Sequence, residues 1–135
     1  MIEIEAIVET AIYVDDLDAA EAFYRDVLGL EVIGKESGRH VFFRVGDGVL
    51  LAFSPGATLQ GDKLPPHGTT GPGHFALGVR AEHLDGWRAR LGGAGVVIEK
   101  EMTWPRGGRS LYFRDPAGNS VELVTPGIWG SPGGW

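Results

Sequence analysis

Gly71-Pro-Gly-His-Phe-Ala-Leu-Gly-Val79 is the stretch that decides how this chain reads. A break rich in glycine and proline precedes a short strand that opens with His74. Side chains alternate along a strand, so Phe75, Leu77 and Val79 form one face, and His74, Ala76 and Gly78 form the other. The first face is bulky and apolar, suited to packing under helices. The second is nearly bare, with one imidazole at its mouth, and leaves room for something other than side chains. Taken alone, His74 also reads as a satisfied core or surface histidine. A site requires partners elsewhere in the chain.

Downstream, a helix is expected over Glu82–Leu91, with Leu84, Trp87 and Leu91 on one face and Gly92-Gly93 closing it. Strands follow at 96–103, 109–114 and 120–124, with Asp115-Pro-Ala-Gly-Asn119 as the last turn. Upstream the same order occurs. Ile4–Val14 reads as a strand, with Glu9, Ala11 and Tyr13 on one face. Asp15-Asp16 then cap a helix over Leu17–Leu28 that presents Ala20, Phe23, Tyr24, Val27 and Leu28. Strands at 31–35, 39–45 and 49–53 complete the unit, and Gly46-Asp47-Gly48 is a strong hairpin signal. The chain is thus a βαβββ unit (4–54), a Pro- and Gly-rich connector (55–73), a second βαβββ unit (74–126) and a tail (127–135) expected to fray.

The copies align residue by residue. Glu9 lies over His74, an offset of 65, and Leu51 lies over Glu122, an offset of 71. The extra six positions match an insertion at Trp104-Pro-Arg-Gly-Gly-Arg109. Glu9 sits mid-strand in apolar company, a poor place for an unpaired carboxylate.

Bulk composition narrows the function. The 135 residues suit one ordinary domain with a real core. Twelve basic against eighteen acidic residues leave a net charge of −6, which disfavours a nucleic-acid partner. Without cysteine there is no disulfide, thiolate nucleophile or Cys zinc site. Early acids at the N-terminus, no basic leader and no apolar run of spanning length point to a cytoplasmic protein with no membrane partner.

The duplicated units, "VDDLDAAEAFYRDVLGLEV", "GPGHFALGV" and "LYFRDPAGNSVELV" resemble the vicinal oxygen chelate superfamily, the glyoxalase, bleomycin-resistance and extradiol-dioxygenase group. The resemblance covers roughly residues 5–126. It implies an α+β fold in which two tandem βαβββ modules form one cup-shaped, partly closed mixed sheet with helices outside, often completed by strand exchange in a homodimer. Family metal ligands fall at Glu9, Leu51, His74 and Glu122. Leucine cannot coordinate, so the set implied is Glu9, His74 and Glu122. This hard set, with open positions, suits Ni²⁺, Zn²⁺, Mn²⁺ or Fe²⁺. It departs from the two-His-one-carboxylate set of a non-haem iron dioxygenase. A metal-free Glu–His–Glu hydrogen-bond cluster is the alternative.

The activity implied is that of a glyoxalase-like, metal-dependent lyase acting on a small oxygenated molecule. Proton transfer would pass through a metal-bound enediolate, with Glu9 or Glu122 as the catalytic proton carrier. A metal-free drug- or metabolite-sequestering protein, resembling bleomycin-resistance proteins, is the second option. A thiol transferase resembling fosfomycin-resistance enzymes is the third. Tyr13, Leu51, Trp104, Arg106, Arg109 and Tyr112 are the candidate substrate-binding residues; Arg106 or Arg109 would clamp a carboxylate or phosphonate. The alternative for the insertion is a solvated hairpin with one packed aromatic. His67 reads as a lid residue or an exposed one, and His40 and His83 as surface residues. Trp129 or Trp135 would contribute to a dimer surface.

Overall fold

The computed structural model describes residues 2–61 and 63–135. Contacts divide the chain into two compact units, Met1–Gly71 and Pro72–Trp135. The fold is α+β, with one four-stranded, open, mixed sheet in each unit.

The first unit runs β1 (Glu9–Tyr13), α1 (Leu17–Ala22), β2 (Glu31–Glu36), β3 (His40–Val45), β4 (Gly48–Phe53) and a short α2 (Pro55–Thr58). Its strand order is β1-β4-β3-β2. β1 pairs with β4 in parallel, and the other pairs are antiparallel. The Asp16 carboxylate accepts from the Ala19 amide at 3.0 Å and starts α1 as the caps predict. The helix then widens into a π-type turn over Phe23–Val27, which the apolar spacing did not foretell. Ala20, Phe23, Tyr24 and Leu28 are buried, as are Ile12 and Val14 on the opposite strand face from Glu9.

β1 is shorter than expected. Beyond Glu9 its partner β4 has ended at the hairpin turn, and one bond from the Val49 amide to the Val8 carbonyl is the last rung. Residues 2–8 lie outside the strand, and Ile2, Ile4 and Ile7 are exposed. Part of the Pro-rich connector is ordered as well: α2 forms there, and the His67 amide donates to the Thr58 carbonyl.

The second unit runs β5 (His74–Gly78), a 3-10 turn (Ala81–His83), α3 (Leu84–Gly93), β6 (Lys100–Thr103), β7 (Arg109–Arg114) and β8 (Ser120–Val124). Its order, β5-β8-β7-β6, repeats that of the first unit, again with a parallel first-to-last pair. Phe75, Leu84, Leu91, Leu111, Phe113, Val121 and Leu123 are buried. The tail does not fray. The Trp129 and Ser131 amides both donate to the Trp135 carbonyl, and Gly127 donates to Gly134.

His40 is not a surface residue. It stacks on Phe42 with centroids 3.9 Å apart, and the Arg39 guanidinium donates to its Nδ1 at 2.9 Å. Burial, then the Arg39 charge, lower its pKa below 6.5, against a smaller opposing pull from Glu36. Histidine in the unfolded chain takes up a proton first, so this stability is complete above pH 6.5 and is lost as pH falls through the lower folded value. The urea midpoint is expected to fall from pH 7 to pH 5 with a shallower slope in His40→Phe; equal slopes would contradict this account of the site.

Candidate functional site

Parallel pairing of β5 with β8 sets His74 beside Ser120 and Ala76 beside Glu122. Antiparallel pairing of β8 with β7 sets Tyr112 beside Glu122 and Ser110 beside Val124. One sheet face therefore carries His74, Ala76, Gly78, Glu122, Tyr112 and Ser110, while the core apolar residues point the other way.

The turn before β8 locks the entry to β5. The buried Asp115 carboxylate accepts from the amides of Ala117 and Asn119 and from the Asn119 side chain. Gly118, at φ +90°, permits the turn. The Asn119 side-chain oxygen accepts from the Gly73 amide at 2.8 Å, and the Ser120 amide donates to the Gly73 carbonyl at 2.8 Å. These bonds hold the residue immediately before His74.

His74 is oriented by its own strand partner. Its Nδ1 lies 3.0 Å from the Ser120 carbonyl. A carbonyl can only accept, so Nδ1 carries a proton and Nε2 is the atom turned toward Glu122. That nitrogen lies 3.4 Å from Glu122 Oε1. With Nε2 unprotonated, two lone pairs face each other. Either a proton or a cation is needed between them.

Glu122 is only 4 % exposed. The Ser110 hydroxyl donates to its Oε2 at 2.5 Å, and the Trp104 indole N–H donates to the Ser110 oxygen at 2.8 Å. The Tyr112 hydroxyl also bonds to Glu122; burial, then the Glu122 negative charge and that hydrogen bond, raise the phenol above its ordinary value, against a smaller opposing pull from a hydrogen bond with Ser110. Tyr112 therefore stays protonated as a donor.

The spacing of this pair is one that two ligands of a single divalent ion can adopt. Nitrogen and oxygen donors about 2.0–2.2 Å from a first-row metal are separated from one another by about 3–3.4 Å. The imidazole with Nδ1–H on a carbonyl and Nε2 free is the arrangement metal-ligating histidines adopt. Among the described residues, no group of three or more His, Cys, Asp or Glu is placed to hold a metal. His74 and Glu122 supply a pair.

The other expected residues divide between the units. In the first unit, Glu9, Tyr13 and Leu51 share one sheet face, since Ala11 pairs with Leu51 and Tyr13 with Phe53. Leu51 is buried and Glu9 exposed. The Tyr13 hydroxyl and His67 Nδ1 lie 2.6 Å apart, which ties the connector to β1. In the second unit, alternation along β7 turns Arg109 away from the Tyr112 face. Arg106 is exposed in the β6–β7 turn, whose Gly108 amide donates to the Gly127 carbonyl. His83 is exposed. Sequence reasoning missed Ser110, although its i, i+2 relation to Tyr112 was a usable signal. A cavity of about 420 Å³ in the first unit, lined by Asp15, Asp16, Asp18, Lys35, Glu36 and His40 among others, includes none of the expected site residues.

The C-terminal Trp135 covers part of the bare face. A Cβ at Gly78 would sit 2.4 Å from its indole Cη2.

A duplicated βαβββ chain with a His–Glu pair on one sheet face is a fold class with a small, polar site. The chain matches the Glyoxalase/Bleomycin resistance protein/Dioxygenase superfamily over residues 6–123 and belongs to that family. A solved lactoylglutathione lyase from Agrobacterium tumefaciens is 46 % identical, with a TM-score of 0.89, over 93 % of this chain and 97 % of that one. The metallothiol transferase FosB of Bacillus licheniformis is 28 % identical over 117 residues, 86 % of this chain and 72 % of FosB. An integron cassette protein from the Halifax Harbour sewage metagenome shares the fold at 24 % identity and a TM-score of 0.74, over 90 % of this chain and 99 % of that one.

Replacing Gly78 by valine should displace Trp135. The acrylamide-accessible fraction of tryptophan fluorescence is expected to rise from wild type to Gly78→Val but not from Trp135→Phe to the double variant; an unchanged fraction in Gly78→Val would contradict this seat for the indole.

Proposed function

We propose that this chain is a divalent-metal-dependent enzyme of the lyase or isomerase type, acting on a small oxygenated molecule. The observation that carries the reading is the facing pair of donors, His74 Nε2 and Glu122 Oε1, 3.4 Å apart. His74 and Glu122 would hold the ion. Glu9, the counterpart of His74 in the first repeat, is the third ligand in this reading. The bound ion would supply Lewis acidity toward adjacent substrate oxygens. The likeness to a lactoylglutathione lyase supports proton transfer beside a carbonyl, with lactoylglutathione or a related hydroxyacyl thioester as product.

The two carboxylates then take different parts. Glu122 is buried and held by Ser110 and Tyr112, so it stays in place. Glu9 is exposed and its side chain makes no hydrogen bond or ion pair among the described residues, so it is the ligand that would take a proton from carbon and return it to the neighbouring carbon. Tyr112 offers a neutral donor on the same face as Glu122. Trp104 and Arg106 are the remaining substrate contacts in this reading, and Arg109, turned to the opposite face of β7, is not among them. A cytoplasmic homodimer belongs to it too, supported by the edge position of β1 and the exposed Ile2, Ile4, Ile7 and Val8 beside it.

Thiol transfer is the second reading. The FosB relatives favour it, and Leu51 removes a fourth protein ligand.

Untagged protein reconstituted in turn with Ni²⁺, Zn²⁺, Mn²⁺ and Fe²⁺ tests both readings, assayed with small dicarbonyls plus a thiol. Ion-dependent isomerisation, with kcat lowered about 100-fold or more in Glu9→Gln, is expected. Adducts between thiol and substrate without isomerisation would transfer the assignment to the second reading. Inactivity with every ion, together with tight small-molecule binding by metal-free protein, would make the chain a sequestering protein.

A further inference from the structure

The geometry points to Ser110, backed by Trp104, as the positioning residue that fixes Glu122 as a one-oxygen ligand aimed at His74. This inference rests on the metal reading above and assigns a role to residues that bear no charge.

The direction of each hydrogen bond is forced. An indole N–H donates only, so at 2.8 Å Trp104 occupies a lone pair of the Ser110 oxygen. Ser110 has a single proton, and that proton goes to Glu122 Oε2 at 2.5 Å. Tyr112 is the third side chain within hydrogen-bonding reach of this hydroxyl. Ser110 itself is 1 % exposed, so no water competes for the bond.

The consequence falls on the other oxygen. With Oε2 held by Ser110, Oε1 is the oxygen that faces His74 Nε2 at 3.4 Å. A carboxylate free to rotate would present either oxygen, or both. The chain from Trp104 through Ser110 removes that freedom before any ion arrives, so binding incurs less ordering cost. Cross-strand register makes this possible: Ser110 and Tyr112 lie two apart on β7, and both stand on the Glu122 face of β8. The insertion that interrupts the repeat supplies Trp104 and the turn, closed by the bond from the Trp104 amide to the Gly108 carbonyl at 2.7 Å. The first unit, which has Leu51 in place of Glu122, has no need of such a device.

The test is Zn²⁺ affinity, measured by competition with a chromogenic chelator on the full chain, with the Tm of each apoprotein as folding control. Ser110→Ala is expected to bind about 10- to 100-fold more weakly than wild type. Ser110→Thr, which keeps the hydroxyl, should restore the affinity, and Trp104→Phe should fall between. Equal affinity in wild type and Ser110→Ala would overturn the inference while leaving the metal reading intact. A loss that threonine does not restore would assign the effect to packing and overturn it as well. If Ser110→Ala does not fold, unchanged affinity in Trp104→Phe overturns it. No Zn²⁺ binding by the wild type would remove the metal reading and this inference together.

Discussion

Glu122 places the strongest constraint on the second unit. A carboxylate buried to 4 % exposure is expensive unless its oxygens are satisfied. Here two hydroxyl donors, Ser110 and Tyr112, come from the neighbouring strand, and the imidazole of His74 faces the carboxylate from the other side. Each contact requires a specific register. β8 must pair with β7 so that Tyr112 stands opposite Glu122, and with β5 so that Ala76 does. A slip of one residue would turn Glu122 into the apolar core and Val121 and Leu123 out of it. The polar face and the sheet topology therefore specify each other.

Duplication places the same demand on the first unit in a different chemical form. β1 and β4 pair in parallel, and Leu51 occupies the position of Glu122 opposite Ala11. Leucine needs no partners, and the face around it is filled by aromatic rings. Tyr13 stacks on Phe53, and His67 from the connector closes over both. One copy of the unit has kept a buried charge and its hydrogen bonds, and the other has exchanged them for apolar packing.

Much of this was legible from the residues. Period-two alternation put His74, Ala76 and Gly78 on a bare face, and the repeat offsets of 65 and 71 match the observed pairings of Ala11 with Leu51 and Ala76 with Glu122. Those signals survive because they are local or arithmetic. What escaped depends on partners. Residues 4–8 alternate like a strand, yet they lose their ladder where β4 turns at Gly46-Asp47-Gly48. The tail reads as frayed because it is rich in glycine, but those glycines allow Gly127 and Gly134 to bond and Trp135 to lie on Gly78. His40 reads as a surface residue because nothing in its neighbours reveals that Phe42 and Phe53 enclose it. Ser110 is a small hydroxyl in a strand, and only the position of Trp104 shows where its proton goes.

In the proposed function His74 and Glu122 are two of the three protein ligands of a metal ion. Elemental analysis of untagged wild type, His74→Ala and Glu122→Ala tests it most directly. The account predicts about one equivalent of a transition metal in the wild type and loss of that metal in both variants. No metal in the wild type, even after reconstitution with Ni²⁺, Zn²⁺, Mn²⁺ and Fe²⁺, would contradict it and leave an exposed histidine paired with a buried carboxylate.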